Sequence, residues 1–102
     1  MIDKKEFEEI VEDFLSGYRT GGGITADSVE NLMRACDMNP EICVEVVKRY
    51  KEGDSIDSLI DYLRGVVGNK KAYRLVGYKG IKRCEYDKIM NLFCYIVDVY
   101  TR

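Results

Sequence analysis

A chain of 102 residues is the length of one domain, and 46% hydrophobic with 33% charged content is the composition of a folded globule rather than a disordered segment. Histidine is absent, which removes the commonest general base and a common zinc ligand, and no apolar run approaches the ~20 residues that a bilayer crossing needs. The net charge of -2 hides a division: residues 1–66 hold eight cations and fifteen acids, whereas residues 67–102 hold eight cations and three acids. Such asymmetry points to an anionic partner, unless folding brings the two parts together to neutralise each other.

The first predicted element is a helix. Asp3 stands as its cap, Glu6 follows three residues later as in a capping box, and Phe7, Ile10, Val11, Phe14, Leu15 and Tyr18 form one apolar stripe. The glycines at 21–23 end it in a flexible joint. A second helix opens at Thr25, Asp27 or Ser28 and turns Val29, Leu32, Met33 and Cys36 inward. Pro40 lacks the donor that a helix interior needs but suits a first turn, so Asn39 caps a third helix with Cys43, Val46, Val47 and Tyr50 on its inner face. Gly53 stops that helix after the basic turn of Lys48, Arg49 and Lys51. A fourth helix starts at Asp54 or Ser55 and buries Ile56, Leu59, Ile60 and Leu63 before Gly65. Its opening, "DSIDSLI", echoes "DSVENLM" twenty-seven residues earlier, which reads as two helices sharing one capping solution.

The stretch at 69–84, "NKKAYRLVGYKGIKRC", carries Lys70, Lys71, Arg74, Lys79, Lys82 and Arg83 and no acid. "AYRLV" is rich in strand formers, "GYKG" is turn-like and "IKRC" can return, so a β-hairpin is predicted. The tail at 85–100 suits either a helix or a strand. The spacing of Tyr86, Ile89, Met90, Phe93, Val97 and Tyr100 favours a helix. Leu92, Ile96 and Val99 lie off that stripe and predict deep burial or a homodimer interface. The expected fold is therefore α+β, mainly α: one domain over 1–102, with four to five helices and one basic hairpin. An acidic helical part at 1–66 precedes a basic hairpin and an apolar C-terminal helix at 67–102.

"LMRACDMNPEICVEVVKRY", at 32–50, resembles a helix-turn-helix unit. Leu32, Cys36, Met38, Cys43 and Val46 stand at the apolar positions of that motif, and Asn39-Pro40-Glu41 is similar to the polar start of a recognition helix. The resemblance implies DNA binding, and a hairpin after the helices would be winged-helix-like. Asp37 departs from the pattern by occupying the turn position where that family has Gly with a positive φ. The outward positions of the second helix are Asn39, Glu41, Val44, Glu45 and Lys48, whose glutamates repel phosphates. The attraction for nucleic acid is therefore expected from the basic stretch.

Nothing in the chain predicts an enzyme. Without His a Cys or Ser nucleophile lacks its usual base, no Gly-rich phosphate loop is present, and no cofactor is implied. Asp57, Asp61, Glu85 and Asp87 read as helix-surface charges rather than metal ligands. Cys36, Cys43, Cys84 and Cys94 lack the close spacing of a zinc knuckle. They read as small buried hydrophobes or as a disulfide, with Cys36 and Cys43 the first pair to consider. The absence of Gln beside plentiful Lys, Glu, Val, Ile and Tyr matches proteins of thermophiles, so an archaeon or its virus is an expected source. The opening "MIDKKEFEEI" has no apolar segment of the secretory kind, so a cytoplasmic location is expected and membrane attachment is not.

The expected function is a small nucleic-acid-binding regulator of DNA or RNA. Lys70, Lys71, Arg74, Lys79, Lys82 and Arg83 would meet phosphates, with help from Lys48, and Tyr73 and Tyr78 would stack on unpaired bases. The alternative is a protein-interaction module, a homodimer joined through Leu92, Ile96 and Val99 with no nucleic-acid binding.

Overall fold

Helices carry the whole architecture. The computed structural model describes residues 3–19, 24–78 and 80–100, and for Tyr18, Arg19, Ile24, Thr25 and Tyr100 the backbone alone. The predicted glycine joint at 21–23 and Lys79 lie outside the described residues. Among those described there are six α-helices and no strand: α1 Lys4–Arg19, α2 Ile24–Ala35, α3 Pro40–Lys51, α4 Ile56–Val67, α5 Asn69–Ala72 and α6 Tyr86–Tyr100. Single 3-10 turns at Tyr73–Leu75 and Arg83–Glu85 connect α5 to α6.

Local chemistry accounts for most boundaries. The Asp3 carboxylate accepts from the Glu6 amide at 2.8 Å, so the predicted cap opens α1. Asn39 accepts from the Glu41 amide at 2.9 Å, with Pro40 in the first turn of α3. Ser55 caps α4 by accepting from the Ser58 amide at 3.2 Å. The echo of "DSIDSLI" is not a shared cap, however. α2 begins at Ile24, so Asp27 and Ser28 lie inside it, and Ser28 is buried against the later loop. α4 also runs through Gly65 to Val67, two residues past the expected stop, because a single Gly costs a helix only about 1 kcal/mol.

The expected hairpin is absent, and with it the α+β class and the wing. Ala72 and Leu75 are both fully buried, and a spacing of three puts two residues on one face of a helix but on opposite faces of a strand. The chain after Gly68 therefore winds up again, docking α5 beside α4 and the following 3-10 turn against α2. On either side of Lys79, which is not described, the Gly80 amide donates to the Gly77 carbonyl at 2.7 Å, and the Ile81 amide donates to the Leu75 carbonyl at 2.7 Å. A Cβ at Gly80 would stand 2.7–2.8 Å from three backbone atoms, so only glycine fits this approach.

α6 is the hub of the core. It packs against α1, α2 and α3, which buries Ile89, Met90, Phe93, Ile96 and Val97. Three partners on one helix explain its apolarity on more than one side. Of the three residues predicted for deep burial or a dimer interface, Ile96 is fully buried within the protomer, Leu92 is half-buried, and Val99 is exposed, at 42%. Polar ties between α3 and α6 reinforce the contact. Tyr50 donates to Asp87 Oδ1 at 2.8 Å, and Lys51 pairs with Asp98 at 3.0 Å. The Tyr50 and Tyr86 rings meet edge to face at 5.4 Å.

Candidate nucleic-acid interface

The six cations of the basic stretch do not share one ribbon. Folding sends them to two sides of the 73–81 segment, and Lys79 lies outside the described residues.

On the first side, Lys70 and Lys71 from α5 and Arg74 from the next turn line a pocket of about 320 Å³. Lys4 from α1 and Arg34 from α2 complete its basic wall, and Glu8, Asp37 and Met38 form the rest. Five cations face two carboxylates here. The Lys71 ammonium donates to Asp37 Oδ1 at 2.7 Å and the Lys4 ammonium to Asp37 Oδ2 at 3.3 Å. The Lys71 hydrogen bond, aided by Lys4, holds the Asp37 carboxyl below the usual carboxylate range. Arg34 lies 3.4 Å from Glu30 and 3.6 Å from Glu12. Lys70 and Arg74 are exposed and have no acid partner among the described residues.

Asp37 owes its place to the turn between α2 and α3. It has φ 58 and the next residue, Met38, has φ 49, so both sit in the left-handed region. Asp tolerates that region better than most residues. The Met38 side chain is buried, and the Met38 amide donates to the Met33 carbonyl at 2.9 Å. These contacts fix the turn that carries the Asp37 carboxylate between Lys4 and Lys71.

On the second side, Lys82 and Arg83 border a cavity of about 460 Å³ with Asp27, Ser28, Val76, Gly77, Gly80, Ile81 and Glu85. Arg83 is engaged there: its guanidinium donates to both Asp57 oxygens, at 3.1 and 2.9 Å. That fork holds the Asp57 carboxyl below its ordinary value. Lys82 has no acid partner among the described residues.

The aromatic residues of the segment face outward. Tyr73 is 49% exposed with the Arg64 guanidinium 5.9 Å from its ring centre, and Tyr78 is 89% exposed while its carbonyl accepts from the Asn31 amide side chain at 2.7 Å. The positions that resemble helix-turn-helix core residues, Leu32, Cys36, Met38, Cys43 and Val46, are all buried. The outer face of α3 presents exposed Glu41, Val44 and Lys48. Arg49 turns away from it, stacking on Tyr62 at 4.1 Å near Glu45 and Asp54. Lys48 therefore stands apart from the basic pocket.

Lys4 and Arg34 are the members that the sequence did not announce. Each sits among acids in the linear chain, and only the packing of α1 and α2 beside α5 brings them to the pocket. Cys36, Cys43 and Cys94 are buried free thiols and Cys84 is an exposed one. The Cys43 thiol donates to the Met33 sulfur at 3.9 Å, and burial beside Cys36 pushes its pKa well up. No group of three His, Cys, Asp or Glu side chains among the described residues is placed to hold a metal, and no helix described is long and apolar enough to cross a membrane. Comparison with family models, curated proteins and solved structures finds no match.

Proposed function

We propose that this protein is a small, non-enzymatic nucleic-acid-binding protein whose contact surface is the outer side of α5 and the turn after it. The observation that supports this most is the clustering of Lys70, Lys71 and Arg74 beside Lys4 and Arg34, with Lys70 and Arg74 lacking an acid partner among the described residues. Phosphates draw most of their protein partners from such cations, and exposed Tyr73 offers a ring for an unpaired base. Lys82 would add a contact from the far side of the loop. The adaptor reading is less favoured, because the homodimer face it requires is occupied inside the protomer at Ile96.

The test is a salt-titrated binding measurement against double- and single-stranded DNA and RNA. Engagement of Lys70, Lys71 and Arg74 gives a log–log slope of about -2.7 on duplex DNA, at about -0.9 per neutralised phosphate. The double variant Lys70→Glu with Arg74→Glu abolishes retention at low salt. Unchanged affinity in that variant refutes the assignment.

A further inference from the structure

We infer that the pocket between α1, the α2–α3 turn and α5 is a phosphate-group subsite, and that Asp37 is its resident counter-ion, which an incoming phosphate displaces. The inference rests on the proposed nucleic-acid reading and refines it from a charged surface to one built pocket. Four observations lead to it. The pocket volume, about 320 Å³, lies at the lower end of the range for small-ligand sites. Its cations come from four separate elements, α1, α2, α5 and the 3-10 turn after it, and so approach a central anion from several directions, which suits the distributed oxygens of a phosphate. The anion already present is a single carboxylate, held at 2.7 Å by Lys71 and 3.3 Å by Lys4. Arg34 is matched by Glu30 and Glu12, but Lys70 and Arg74 have no acid partner among the described residues, which leaves their side of the wall undercompensated.

The backbone is arranged for such an exchange. Buried Met38 and the amide donated to Met33 secure the turn from inside, so it does not depend on the Asp37 ion pairs. The Asp37 side chain is 37% exposed and has room to swing toward water while the turn stays in place. A phosphate monoester carries about -1.5 to -2 at neutral pH and offers three acceptor oxygens, so it satisfies Lys4 and Lys71 and reaches Lys70 or Arg74 as well. A backbone phosphodiester carries less charge and makes fewer of these contacts.

The probes are sodium pyrophosphate and short single-stranded DNA, titrated into the wild-type protein and into Asp37→Asn. Asn keeps the tolerance for a left-handed backbone and nearly the same shape, so the turn survives while the competing charge goes. The expected result is that Asp37→Asn binds both probes roughly three- to tenfold more tightly, the equivalent of releasing two exposed ion pairs. Its salt slope on single strands steepens by up to about 0.7 per freed lysine. Lys71→Gln weakens pyrophosphate binding, and in the double variant it reduces the gain from Asp37→Asn. That variant keeps the test sharp should Asp37→Asn perturb folding. Equal or weaker binding of both probes by a folded Asp37→Asn overturns the inference. A gain for pyrophosphate with no binding of DNA by any form upholds the subsite and refutes the nucleic-acid reading. Absence of binding to either probe in every form refutes both.

Discussion

Leu75 holds the basic segment to the core, and truncating it tests both the fold and the placement of the site. Its side chain is fully buried, and its carbonyl accepts the Ile81 amide that closes the glycine loop. Leu75→Ala removes three carbons from water-free surroundings, about 2.4 kcal/mol at about 0.8 kcal/mol per methylene. The loop on the other side of Leu75 is fixed by the tight approach of Gly80, so the gap collapses poorly and a cavity penalty adds, for about 3–4 kcal/mol in all. Urea denaturation followed by circular dichroism reads this directly. With a slope on the order of 1.5 kcal/mol per molar, the midpoint falls by about 2 M. The helical geometry also supplies an internal control. In a hairpin Tyr73 and Leu75 would share a face, whereas here Tyr73 is 49% exposed and its replacement by Ala costs under about 1 kcal/mol. A loss below about 1 kcal/mol for Leu75→Ala, or an equal loss for Tyr73→Ala, refutes the helical docking of this segment.

Gly65→Ala stabilises the protein by about 0.5–1 kcal/mol, because Gly65 lies within α4 and an added Cβ meets nothing within 4 Å; Gly80→Ala destabilises it, since the same methyl would meet backbone atoms at 2.7–2.8 Å, and thermal melts of the two variants should move in opposite directions. The Tyr50 hydroxyl titrates late: burial first, and then its hydrogen bond to Asp87, push its pKa from 10.0 up to about 12. A phenol raised in the folded state is fully stabilising below pH 10 and loses that contribution as pH rises from 10 through 12. Tyr50→Phe should therefore cost about 0.5–1.5 kcal/mol at neutral pH, flatten the alkaline loss of stability and remove a late component from the tyrosinate absorbance titration.

The helical scaffold was legible because two local signals agree in it. The stripe Phe7, Val11 and Leu15, the inward set Val29, Leu32 and Met33, and the caps Asp3, Asn39 and Ser55 all stand where side-chain period and capping chemistry place them. The tail settled as a helix because its stripe finds three helices to pack against. The 69–84 stretch failed because β-propensity measures fit to a half-buried pleated surface rather than a backbone preference, and no strand among the described residues supplies one. Its real signal was smaller and easily passed over: Ala72 and Leu75, three apart, are the residues that must be buried together. The site was half legible. Lys70, Lys71 and Arg74 announce themselves by composition, but the turn that brings Asp37 to Lys71 and Lys4 is a tertiary event spanning residues more than thirty apart.

An overall charge of -2 does not prevent such a protein from binding a polyanion, but it limits how. At physiological ionic strength charges are screened beyond about 8 Å, so the pocket presents its own five cations and the four acids beside them, Glu8, Glu12, Glu30 and Asp37, rather than the net charge of the chain. Exposed acids that do not line the pocket, among them Glu9 and Asp13 on α1 and Glu41 on α3, repel a phosphate backbone that tries to wrap further. On the proposed function, binding would thus be confined to one face and to few phosphates. Lys70, Lys71 and Arg74 set a duplex slope of about -2.7, and recruitment of Lys4 and Arg34 raises it to no more than about -4.5, at about -0.9 for each of five contacts. A steeper slope would require a second cationic surface, for which Lys5, Lys48, Lys82, Lys88 and the undescribed residues remain.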